Sequence, residues 1–140
     1  MLKIRIIYIL LSVCGLSACG QINKRHEHKT LTEMDKNKIS NLLVKQAFLA
    51  WQEGNSEKWL SFFTNDAQLL DDGSPRNFKK FSTEAIGTER FTSIDKVEDN
   101  GLSIYGKFHS DTWGDFKTFF KFHLNQAGKI YQLEIGQADY

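Results

Sequence analysis

Two adjacent carboxylates, Asp71 and Asp72, open the run Asp71-Asp72-Gly73-Ser74-Pro75. A carboxylate at the end of a strand can take a proton from a carbon acid or from water when it faces an apolar cavity. The same run is also ordinary turn chemistry, since Asp bonds its own backbone and Gly accepts positive φ. Both readings stay open on the sequence, the turn being the commoner use of such a run. His109 and His123 are candidate bases, but each lies in an alternating stretch that assigns it to the polar side of a strand. His26 and His28 flank Glu27 in a polar run. A zinc site needs three or four converging ligands, and this pair supplies too few. The sequence holds no nucleophile motif and no Gly-rich phosphate loop, and it asks for no metal and no cofactor.

The N-terminus carries a different kind of chemistry. An apolar segment, residues 6–13, follows Lys3 and Arg5 and leads to Leu16-Ser17-Ala18-Cys19. This is the layout of an export signal. The segment falls well short of the ~20 residues a membrane-spanning helix needs. The tetrapeptide resembles a bacterial lipoprotein lipobox, with small residues ahead of the cysteine. A cut before Cys14 would put branched Val13 where a small residue is wanted. An ordinary secretory cut after Gly20 stays open, because Ala18-Cys19-Gly20 suits it. On the lipobox reading, residues 1–18 are a signal peptide and Cys19 becomes the acylated N-terminus. Each buried methylene contributes ~0.8 kcal/mol, so several acyl chains anchor stably to a membrane. The resemblance implies a lipid-anchored protein of the cell envelope facing the periplasm. Gly20 is not the Asp that retains lipoproteins in the inner membrane of enteric bacteria, which favours the outer membrane. Cys14 leaves with the leader and Cys19 is taken by lipid, so the domain must hold together without a disulfide.

Residues 19–35 are polar, with Lys24, Arg25, His26, Glu27, His28 and Lys29 in succession and no apolar periodicity. They read as a flexible spacer whose bases lie near anionic headgroups. The remainder, residues 36–140, is sized for one domain. The chain has 18 basic and 17 acidic residues, and two of the bases lie in the leader. Near-neutrality gives no electrostatic argument for nucleic acid. Eleven Phe and three Trp supply bulky core material.

The elements that must position Asp71 follow from periodicity. Residues 35–52 predict a helix, with Ile39, Leu42, Leu43, Ala47, Ala50 and Trp51 at helical spacing and Gly54 as a stop. Residues 57–63 predict a second short helix, 68–71 a strand, and 82–86 a third helix capped by Ser82. From Phe91 onward the chain reads as strands. Asn100-Gly101, Thr112-Trp113-Gly114 and Gln126-Ala127-Gly128 are the turns. Pairing Ile104 with Phe122 puts Gly106 opposite Phe120. Pairing Phe122 with Leu133 puts Phe120 opposite Ile135 and Leu124 opposite Tyr131. One face is then apolar, and the other sets Lys121 beside Glu134. Helices followed by an antiparallel meander is an α+β arrangement.

The run Phe48-Leu49-Ala50-Trp51-Gln52-Glu53-Gly54-Asn55, followed by Trp59-Leu60-Ser61-Phe62-Phe63-Thr64-Asn65-Asp66-Ala67, resembles the opening of nuclear transport factor 2-like domains. These include the SnoaL-like cyclases and the ketosteroid isomerases. The hairpin from Asn125 to Ile130 is also similar. The resemblance implies a cone-shaped α+β fold, with N-terminal helices packed on a curved antiparallel sheet that encloses a pocket. In the isomerases a base, a Tyr and a protonated acid act together. Those positions fall here on Asp71, Phe48 and Phe120, so one role of three survives and the oxyanion stabiliser is missing. The leading expectation is a small apolar ligand bound among Phe48, Trp51, Phe63, Phe120, Phe122 and Tyr131. The rival is an enzyme, of isomerase, cyclase or hydrolase type, with Asp71 as general base. A third reading makes the outer face, with Tyr105, Lys107, Phe119, Lys121 and His123, a surface for a partner or a second copy.

Overall fold

Asn41 starts the first helix: its side chain accepts from the Val44 amide at 3.1 Å, and α1 runs Leu42–Gln52. The same residue type, Asn, caps the other two α-helices among the described residues. Asn55 caps α2 (Ser56–Ser61), and Asn77 caps α3 (Phe78–Ala85). An Asn at this position satisfies an amide that the helix itself leaves unpaired. The computed structural model describes residues 36–140. Cys19, the leader and the spacer lie outside the described residues. Among the described residues no helix is long and apolar enough to cross a membrane.

The strands are β1 (Phe63–Asp71), β2 (Ser74–Arg76), β3 (Glu89–Phe91), β4 (Lys96–Glu98), β5 (Ser103–Ser110), β6 (Gly114–Leu124) and β7 (Ile130–Gln137). Their order is β2-β1-β7-β6-β5-β3, with β4 also paired to β5. All pairs are antiparallel except β1 with β7, which is parallel.

This corrects the expected cone with its curved antiparallel sheet. The sheet is mixed, open, and neither closed nor strongly curled. A sheet closes only when its outermost strands pair with each other. Here the outermost strands, β2 and β3, are three residues each and flank opposite ends of the order. The α+β class stands, with helices packed on the sheet.

The β6–β7 register is the expected one at Phe122↔Leu133, Phe120↔Ile135 and Lys121↔Glu134. An irregularity between His123 and Leu124 then sets Leu124 opposite Ile130 instead of Tyr131. Between β5 and β6 the register differs by two residues: Ile104 faces Phe120, and Gly106 faces Thr118. A two-residue slip preserves which side chains face inward. Accordingly Ile104, Phe108, Phe120, Phe122, Leu133 and Ile135 are all buried.

The helices also differ from expectation at their ends. α1 begins at Leu42 because Asn41 caps it there; Ile39 reaches the core from outside the helix. Ser82 is not a cap. It is buried within α3 and its hydroxyl accepts from Trp59 Nε1 at 3.0 Å. The core centres on Trp51. Its ring lies 5.1 Å from Trp59, 5.2 Å from Phe120 and 5.7 Å from Phe81. Gln52 fastens the end of α1 to β3, accepting from Phe91 N at 2.8 Å and donating to its carbonyl at 2.9 Å.

Candidate functional site

At one end of the sheet the aromatic core stops short of filling the space. A pocket of about 630 Å³ opens between α3 and β1, β3, β5, β6 and β7. Its apolar lining is Phe81, Ala85, Phe108, Phe116, Phe120 and Ile135. The rings brace one another: Phe108 lies 5.5 Å from Phe116 and 5.8 Å from Phe120. Thr118 sits between Phe116 and Phe120 on β6, buried, with its hydroxyl donating to Gly136 O at 2.8 Å. Trp113, in the β5–β6 turn, stands at the rim with 78% of its surface exposed.

Charged groups gather at the mouth. Asp71, the last residue of β1, keeps 28% of its side chain exposed and pairs with the Arg76 guanidinium. Arg76 also lies 5.4 Å above the Phe81 ring, a cation–π contact. The hairpin explains the pair. Asp71 faces Ser74 and Leu69 faces Arg76, so Asp71 and Arg76 are diagonal neighbours across β1 and β2. Asp72 is a turn residue: its φ is 46°, and its Oδ1 accepts from Gln137 N at 3.1 Å, fastening the turn to β7.

Glu89 enters from β3. Ser110, its cross-strand partner, donates from Oγ to Glu89 Oε1 at 3.0 Å. Burial pushes the Glu89 carboxyl above its ordinary value of 4.5. The Ser110 hydrogen bond and the nearby Arg76 charge oppose that shift, while Asp71 adds to it. Asp71, Arg76 and Glu89 therefore sense one another across the mouth.

Of the expected site residues, Asp71 and Phe120 line this pocket. Phe48, Trp51, Phe63 and Phe122 are buried in the core instead. Phe63 packs on Trp59 and Phe78 at 4.6 and 4.4 Å, Phe122 on Trp59 at 6.2 Å, and Phe48 on Phe91 at 5.3 Å. Tyr131 is 41% exposed on the outer face, 6.1 Å from His123. His123 Nε2 lies 2.7 Å from Glu134 Oε1 on that same face. His109 sits between two carboxylates, 2.6 Å from Asp115 and 3.3 Å from Asp111. Among the described residues no group of three or more His, Cys, Asp and Glu side chains is arranged to hold a metal ion.

Arg76, Glu89, Phe81 and Trp113 were not singled out from the sequence. The diagonal of the Asp72-Gly73 hairpin could have revealed Arg76. Glu89 reaches the mouth only through the pairing of β3 with β5, which no local signal encodes.

Solved structures share this architecture at low identity. An NTF2-like protein of unknown function from Cytophaga hutchinsonii is 12% identical, with a TM-score of 0.55 over 69% of this chain and 87% of that one. The chain resembles NTF2-like proteins in fold. The orange carotenoid protein of Anabaena (Nostoc) sp. PCC 7120, solved binding canthaxanthin, is 18% identical with a TM-score of 0.54. The match covers 69% of this chain and 36% of that protein, so this chain spans about a third of it. TerC, co-crystallised with polyporic acid, is 12% identical with a TM-score of 0.53 over 69% of this chain and 88% of that one. No family model matches the chain, and no curated protein matches it in sequence. These likenesses show a shared fold alone; the site must be read from its own residues.

Proposed function

We propose that this domain binds a small, largely apolar organic molecule in the pocket beside Phe120, and that lipid on Cys19 holds it to the cell envelope. The observation that carries the binding reading is a pocket of about 630 Å³ with an aromatic floor and a cluster of charged and polar side chains at its mouth. Ligand sites typically enclose ~300–1,000 Å³. The orange carotenoid protein with canthaxanthin, and TerC with polyporic acid, lend support: similar architectures occur with small organic molecules. Asp71 supports binding better than catalysis, because its carboxylate is committed to Arg76.

A neutral apolar fluorophore, N-phenyl-1-naphthylamine, tests the pocket. Saturable binding of one probe per chain is expected, with a change in the tryptophan emission of the protein. Thr118→Phe places a ring in the cavity and should weaken the probe at least about tenfold, or ~1.4 kcal/mol. Thr118→Val keeps the side-chain shape, and serves as the control for loss of the hydrogen bond to Gly136. Binding that is equally tight in Thr118→Phe overturns the assignment.

The lipobox carries the anchoring reading. Full-length protein expressed with its leader should partition into detergent, and Cys19→Ser should move it to the aqueous phase. Identical partitioning of the two would remove lipid on Cys19 from the account.

A further inference from the structure

Resting on the pocket as the ligand site, we infer that its natural ligand joins a basic nitrogen to an apolar body. The cavity makes the site and its charges choose the ligand. Four carboxylates line it, on Asp71, Asp72, Glu84 and Glu89, against one guanidinium, on Arg76. That guanidinium is already engaged on two sides, by Asp71 and by the face of Phe81. An anionic head group would have to displace Asp71 from Arg76 and would then sit among the remaining carboxylates.

The carboxylates are not equivalent. Asp72 is tied to the amide of Gln137, and Glu84 faces Lys80 at 3.9 Å across solvent. Glu89 is half-buried, and its hydrogen bond comes from a neutral hydroxyl, Ser110 Oγ. A neutral donor orients a carboxylate without cancelling its charge. An ammonium entering the mouth would cancel it in surroundings where charge pairs are poorly screened. Aromatic rings at the same place favour the same head group. Phe81 already carries a cation above its ring, and Trp113 presents an exposed indole at the rim. Indole is the side chain on which a cation rests best. An apolar chain would lie along Phe108, Phe116 and Phe120 while its cationic end met Glu89.

Three amphiphiles with the same ten-carbon tail, kept below their micelle concentrations, provide the test by displacing N-phenyl-1-naphthylamine. Decylammonium should compete at least about tenfold better than decyl sulfate, with 1-decanol between them. Glu89→Gln should cost the cation about tenfold and cost 1-decanol much less. Added salt should weaken the cation's binding and not that of the alcohol. Sulfate competing as well as or better than ammonium, or a cation unaffected by Glu89→Gln, overturns the inference while leaving the pocket intact. Failure of the neutral probe itself to bind the wild-type protein overturns the pocket, and the charge preference falls with it.

Discussion

Gly106→Ala is expected to destabilise the fold by about 3 kcal/mol or more, at the top of the range for material forced into a packed interior. A Cβ at this position would stand 1.9 Å from the carbonyl oxygen of Ser93 and 3.1 Å from the Phe91 ring. The clash is with backbone, and that backbone is pinned on either side. Thr92 N donates to Lys107 O at 2.8 Å, and Asp95 N donates to Tyr105 O at 2.9 Å. Relief requires breaking at least one of these bonds, or lifting β3 and β4 away from β5. Because β3 carries Glu89, the loss would reach the mouth of the pocket as well as the stability. Gly128→Ala is the comparison. Nothing crowds its Cβ, and its cost is confined to a φ of +74°. Urea unfolding of the three proteins measures the difference. A Gly106→Ala variant within about 0.5 kcal/mol of the parent would show that residues 92–95 are not held against β5 in solution.

What the sequence made legible follows the physics of each signal. Alternation along β5, along β6 and along β7 from Leu133 onward assigned the inward faces correctly, because those faces survive a slip of two residues. The same property hid the slip itself, and Ile104 faces Phe120 where Phe122 was expected. Tyr131 illustrates the opposite case. Strict alternation sent it inward, but the irregularity at His123 and Leu124 brings Ile130 into the core and leaves Tyr131 outside. The parallel pairing of β1 with β7 joins strands distant in sequence, and no turn announces it. Openness of the sheet follows from where short edge strands stop, which a family resemblance does not determine.

The candidate site divides along the same line. Asp71 was visible because a turn of recognisable chemistry fixes its neighbours. Phe120 was visible because it belongs to an alternating run. Phe48, Trp51, Phe63 and Phe122 have the same composition as pocket residues, yet they fill the core. Chemical type alone cannot distinguish a ring that lines a cavity from one that packs against Trp59. Glu89 marks the limit: a glutamate at the start of a three-residue strand looks like any surface residue until β3 is laid on β5.

Trp51→Ala is the second large effect, and it joins stability to binding. Truncating a buried tryptophan costs about 3–5 kcal/mol, a large share of the ~5–15 kcal/mol that holds a domain together. Trp51 is 1% exposed and touches Trp59, Phe81, Phe108 and Phe120 with ring centroids 5.1 to 6.4 Å away. The last three of those rings line the pocket. Without their backing they can collapse into the vacated space, so the affinity for N-phenyl-1-naphthylamine should fall even under conditions where Trp51→Ala is fully folded. Trp51→Phe isolates the packing from the polar atom. The indole Nε1 of Trp51 is buried with no hydrogen-bond partner among the described residues, so losing it forfeits no bond. Trp59 differs, since its Nε1 supplies the buried Ser82 hydroxyl at 3.0 Å. Trp59→Phe should therefore cost more than Trp51→Phe by about 1 kcal/mol or more, the penalty for stranding a buried hydroxyl. Urea denaturation and probe titration on the same three variants check both halves. Equal costs for the two Phe variants would mean that the Trp59–Ser82 bond contributes nothing. Unchanged probe affinity in folded Trp51→Ala would mean that the pocket floor stands without the ring beneath it.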